Sequence, residues 1–170
     1  MRRLIIILTI VLLNINIGYS EEENSLENCK VVKYKSQIIK ELVDKIKVDI
    51  LIEDNLGQKA KEACDIAYDL KRYDIILLGL RNMNYDVKKY CLEIIKNLEK
   101  NEKVNIIIKA LKDPELFKVQ KVGELRVVQK RFEEDFILLL SSVLKKNLEK
   151  INLSSIDERE TIIQQLKNNL

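Results

Sequence analysis

The sequence predicts an all-α protein, and three observations carry that prediction. It holds one Pro and four Gly in 170 residues, few breakers for a chain of this length. It is rich in Leu, Ile, Lys and Glu, the usual vocabulary of helical chains. Its apolar residues recur at i, i+3 and i+4 through most of its length, as in Ile38, Ile39, Leu42, Val43, Ile46 and Ile50.

Residues 1–20 stand apart as an expected signal peptide. Arg2 and Arg3 form a basic start, Leu4 to Leu13 is an apolar run, and Gly18 and Ser20 place small residues before a cut at Glu21. A retained membrane anchor is the alternative, but a spanning helix needs ~20 apolar residues and this run ends at Asn14 and Asn16. The mature chain is therefore expected to be exported, periplasmic or extracellular, with no membrane span. Loss of Arg2 and Arg3 leaves 28 basic residues against 27 acidic ones. A nearly neutral chain of interspersed charge lacks the basic stripe of a nucleic-acid binder, so that partner class is excluded.

Residues 21–35 show no period and read as a loose N-terminal tail. Residues 36–170 then read as a single all-helical domain, one by length. Ser36 can cap a first helix reaching about Ile52. After the turn at Asp54–Gly57, a second helix runs from Gln58 to about Lys71, with Ala60, Ala63, Cys64, Ala67 and Tyr68 inward. Asp74 can cap the short apolar helix of Ile75, Ile76, Leu77, Leu78 and Leu80. A buried strand would fit that run as well, but no second strand is available to pair with it.

The turn Asn82–Asn84 leads to a helix from Tyr85 to about Lys100, with Val87, Tyr90, Cys91, Ile94, Ile95 and Leu98 inward. A second short apolar helix follows at Val104–Lys112. Asp113-Pro114-Glu115 is a helix-start signature, predicting a helix that holds Leu116, Val119 and Val122. A long helix is predicted from Leu125 to Ile151, with the block at Phe136–Leu140 buried all round and Glu133-Glu134-Asp135 outward. Ser155 and Glu158 form a capping box for a terminal helix with Ile156, Ile162, Ile163 and Leu166 inward.

Two of these helices match. Aligning Cys64 with Cys91 sets Ala60 on Val87, Lys61 on Lys88 and Ala67 on Ile94, and the short apolar helix at Ile75–Leu80 separately resembles the one at Ile106–Leu111. A short helix, a turn and a longer helix, repeated, is the signature of stacked helix pairs. Leu80-Arg81-Asn82 followed by Asp86-Val87-Lys88 resembles the HEAT repeat, whose first helix ends in Leu-x-Asp and whose second opens with Asp-Val-Arg. Here Asn82 stands for the Asp and Lys88 for the Arg. Leu111-Lys112-Asp113-Pro114 resembles the same first-helix ending, with Val119 one place late. An earlier copy keeps only Asn55, Ala60 and Lys61, and the resemblance is lost after Phe132. The expected architecture is thus a short α-solenoid of HEAT-like pairs over about 36–132, followed by C-terminal helices over about 125–170.

The resemblance implies a scaffold that binds another protein on the face of its second helices. Carried over residue by residue, it would set Lys61, Asp65, Lys88, Lys89, Leu92 and Lys96 near that surface. Cys64 and Cys91 are expected either as a disulfide or as buried thiols. Equivalent sites on packed helices lie ~8–10 Å apart, and a disulfide needs Cα atoms within ~7 Å. With Cys29 the count of cysteines is odd, so at least one thiol is left over.

Without His, no Ser-His, Cys-His or His-metal site can form, and no Gly-rich phosphate loop is present. No metal, no cofactor and no enzymatic activity are expected. Two alternatives stand beside the binding module. One is a small enzyme that uses a carboxylate pair on envelope polymer. The other is a structural protein that associates with itself through Ile162, Ile163 and Leu166 of the terminal helix.

Overall fold

The structure, a computed structural model, describes residues 25–52, 57–118 and 123–168. The expected signal peptide lies outside them. The described residues form seven α-helices and no strand: α1 (Ser25–Asp49), α2 (Gln58–Asp69), α3 (Tyr73–Gly79), α4 (Tyr85–Lys96), α5 (Lys100–Leu111), α6 (Glu124–Leu144) and α7 (Ile156–Lys167). No described helix is long and apolar enough to cross a membrane.

The chain divides into two compact units, Met1–Lys45 and Ile46–Leu170. The described part of the first unit is all α1. That helix starts at Ser25, so residues 25–35 are helical and not the loose tail expected from their lack of period. The division falls inside α1. Ile39, expected inward, is 51% exposed.

In the second unit, helices alternate between two rows. α2, α4 and α6 pack side by side in chain order, and so do α3, α5 and α7. Cross-contacts of α3 with α2 and α4, and of α4 with α5, tie the rows together. The core lies between them. It takes Ala60, Ala63 and Ala67 from α2, Ile75 and Ile76 from α3, Val87 and Ile95 from α4, and Ile107 and Leu111 from α5. Phe132 and Phe136 of α6 meet Phe117 in an aromatic cluster with ring centroids 5.1–5.9 Å apart.

The caps explain where the elements end. Gly57 enters α2 at φ 62°, a left-handed conformation that glycine adopts without strain. Arg72, not Asp74, is the N-cap of α3; Asp74 sits in the first turn and pairs with Arg72 at 2.8 Å. Asn84 caps α4 by accepting from the Asp86 N–H, and Ser155 caps α7 by accepting from the Glu158 N–H. The expected capping box is half formed, because the Glu158 carboxylate takes the N–H of Asn152 instead.

Three expectations fail. Asp113 accepts from the Glu115 N–H as a cap should, yet residues 114–117 form turns and no helix. The Leu116 carbonyl is taken by the Gln129 side chain at 2.9 Å, while Phe117 packs against both Phe132 and Phe136. Val119 and Val122 lie outside the described residues. The long helix stops at Leu144, short of Ile151, because Lys145 turns left-handed (φ 53°) and the Lys146 N–H bonds back to the Ser141 carbonyl. Leu148 and Leu153 are then buried from the loop. Finally, Tyr68 and Ile156 point outward, 43% and 67% exposed.

Candidate functional site

The described surface carries a groove of about 240 Å³ between α4 and α6. α4 contributes Lys89, Leu92, Glu93 and Lys96; α6 contributes Asp135, Leu138, Leu139 and Ser142. Each set keeps the i, i+3, i+4, i+7 spacing that puts four side chains on one helix face. Leu92 and Leu139 are buried and form the floor. Leu138 is 65% exposed at the edge, an apolar side chain of the groove with no cover. The remaining residues make a rim of mixed charge.

The rim is partly organised. Lys96 pairs with Glu93 at 3.5 Å in an exposed contact of small energetic weight. Asp135 accepts a hydrogen bond from the Tyr85 hydroxyl at 2.6 Å. That bond to a carboxylate, with burial as the second cause, pushes the Tyr85 phenol up to about 12. Arg131 lies over the Tyr85 ring, 5.9 Å from its centroid. Asp135 is thereby held at the groove wall.

Among the residues expected at a binding surface, Lys89, Leu92 and Lys96 come together in this groove. Lys89 and Lys96 are exposed, but Leu92 is its buried floor and not a free contact. Lys61 and Asp65 are half-buried on α2 and do not line it; Asp65 accepts from the Tyr90 hydroxyl. Lys88 is the clearest correction. Its side chain is 5% exposed, its Nζ donates to the Leu80 carbonyl, and the ammonium sits 4.6 Å from the centre of the Phe132 ring. Burial lowers its pKa to about 8. α3 and α6 both pack against α4, and the long stem of Lys88 lies buried there with its ammonium against the Phe132 ring.

The α6 half of the groove was missed because Phe136–Leu140 reads as apolar all round. A signal was nonetheless present. Glu134, expected outward, is four residues before Leu138, so the two share a face.

Cys64 and Cys91 are buried thiols whose sulfurs are 2.8 Å apart. No group of His, Cys, Asp or Glu among the described residues could hold a metal ion. Comparison with protein families, with curated proteins and with solved structures finds no significant match to this chain.

Proposed function

We propose that this chain is an exported HEAT-like scaffold that binds another protein in the groove between α4 and α6. The observation that carries the reading is the exposed Leu138 beside the Leu92–Leu139 floor, ringed by Lys89, Lys96, Glu93 and Asp135. An apolar centre with a polar rim is the anatomy of a protein contact. The groove is smaller than the ~300–1,000 Å³ usual for a small-molecule site, and its size suits one or two anchoring side chains of a partner.

The repeat reading is supported by two side-chain contacts of equal reach along the chain. Asn82 bonds to the carbonyl of Ile50, and Arg81 pairs with Asp113, each across 32 residues. Asn82 and Asp113 are the positions that resemble the HEAT first-helix ending, and Lys88, which stands for the HEAT Arg, bonds to the carbonyl of Leu80. Export rests on the pattern of residues 1–20.

A second reading has one observation behind it. Glu93 of α4 and Asp135 of α6 line the same groove, which brings two carboxylates to one surface. Each is already engaged, Glu93 with Lys96 and Asp135 with Tyr85. Self-association through α7 has less support, because Ile162, Ile163 and Leu166 are buried within the chain itself.

Amine-reactive cross-linking of the tagged mature protein in its native envelope fraction tests the binding reading. One stoichiometric protein, linked through Lys89 or Lys96 and lost in a Leu138→Glu variant, is the expected result. Polymer hydrolysis abolished by Glu93→Gln or Asp135→Asn, with no captured protein, would replace it with the enzyme.

A further inference from the structure

The thiols of Cys64 and Cys91 are placed in the middle of two adjacent helices, α2 and α4, and both are fully buried. Their sulfurs meet at 2.8 Å. A disulfide between neighbouring helices needs the two backbones to approach closely at the cysteines. Two features bring the sulfurs together here. α2 faces the core with Ala60, Ala63 and Ala67, so a neighbour can approach closely. α3 presents Gly79 to the pair: a Cβ there would lie 2.3 Å from the Cys91 sulfur and 3.2 Å from the Cys64 sulfur. The chain thus leaves a hydrogen where any side chain would force the sulfurs aside.

We propose that Cys64 and Cys91 are a disulfide-forming pair that joins α2 to α4 covalently when the chain folds in an oxidising compartment. The oxidant is a disulfide, of a protein or of a small thiol. One cysteine thiolate attacks a sulfur of that disulfide and releases one thiol, leaving a mixed disulfide on the chain. The second cysteine thiolate attacks the chain's sulfur in it and releases the second thiol. Two S–H bonds of the chain are lost, one S–S bond is gained, and both protons end on the two thiols of the reduced oxidant.

The pair must close before the helices do. In the folded chain the Cys91 thiol is pushed well above its ordinary value, by its contact with Cys64 first and by burial second. A buried neutral thiol is a poor nucleophile. Exchange therefore belongs to folding, while α2 and α4 still expose their cysteines. That the bond forms in the cell rests on the export reading; that it can form does not.

The test separates the two. The reduced full chain is refolded with a mixture of reduced and oxidised glutathione, then mapped by differential alkylation and mass spectrometry. The expected product links the Cys64 and Cys91 peptides, leaves Cys29 alkylated, and melts roughly 10 °C higher than its reduced form, given the 27-residue loop. Cys64 and Cys91 both alkylated after refolding, or either of them joined to Cys29, would overturn the proposal. A pair that closes with glutathione but is isolated reduced from cells supports the proposed chemistry and contradicts export.

Discussion

Asn82 donates its side-chain amide to the carbonyl of Ile50 at 2.9 Å, joining the start of α4 to the end of α1. The same amide reaches the Ile52 carbonyl at 3.3 Å, and its oxygen accepts from the Asn84 N–H at 2.8 Å. One buried side chain thus satisfies three backbone groups at a point where two helices end. Asn82→Ala leaves those groups without their partner and is expected to cost on the order of 2 kcal/mol. Asn82→Asp should cost more, since a carboxylate cannot donate to either carbonyl. Urea unfolding at pH 7 checks both. Equal stability of the aspartate variant and wild type would contradict this role for the amide.

Lys88 gives the stability a pH dependence of known sign. Its folded pKa of about 8 lies below the ordinary lysine value of 10.5, because burial disfavours the ammonium. The unfolded chain therefore holds more protons between about pH 8 and 10.5, and stability rises with pH across that window. The destabilising contribution is fully present below about pH 8. Lys88→Met should flatten the rise, while at pH 7 the relief from burying a charge is set against the donor lost to the Leu80 carbonyl. Denaturant midpoints measured from pH 7 to 10.5 on both proteins test this.

Gly79 is fixed by its neighbours. Gly79→Ala would drive a methyl into the two buried sulfurs, whose short side chains have little room to yield. A loss of roughly 1–3 kcal/mol is expected, the usual range for overpacking a core. At an exposed helix site the same change is stabilising, so the sign of the shift in melting temperature decides whether the close approach is real.

Leu138→Glu should leave the fold alone and damage binding. An exposed side chain contributes little to stability, so a change within about 0.5 kcal/mol is expected. If Leu138 is the apolar contact of the groove, partner affinity should fall at least about tenfold, in line with loss of an interface anchor. Circular dichroism and thermal melts report the first effect, and titration with the captured partner the second.

Much of this architecture was legible in periodicity. The stripes of α2, α4 and α5, the helical character of α3 and the cap at Ser155 follow from residue spacing and from the side-chain chemistry of helix starts. Two kinds of feature were not legible. The first is where a long-range partner overrides a local signal. Asp113-Pro114 opens no helix because Phe117 completes a cluster with Phe132 and Phe136, and nothing near Pro114 encodes those rings. The second is the face on which a side chain ends. Lys88 and Leu138 have the wrong polarity for their places, lysine inside and leucine outside, and only the positions of α3 and α6 around α4 determine that. Half of the groove, Lys89, Leu92 and Lys96, was readable from α4 alone. The other half required knowing that α6 packs beside it.

Binding of a protein partner in the groove between α4 and α6 can be read directly. A photo-cross-linking residue placed at Leu138, and as a control at exposed Lys109 of α5, tests it in intact cells. One discrete adduct from position 138, none from 109, and its loss when Lys89→Glu and Lys96→Glu are combined is the expected result. No adduct from position 138, or the same smear of adducts from both positions, would contradict it.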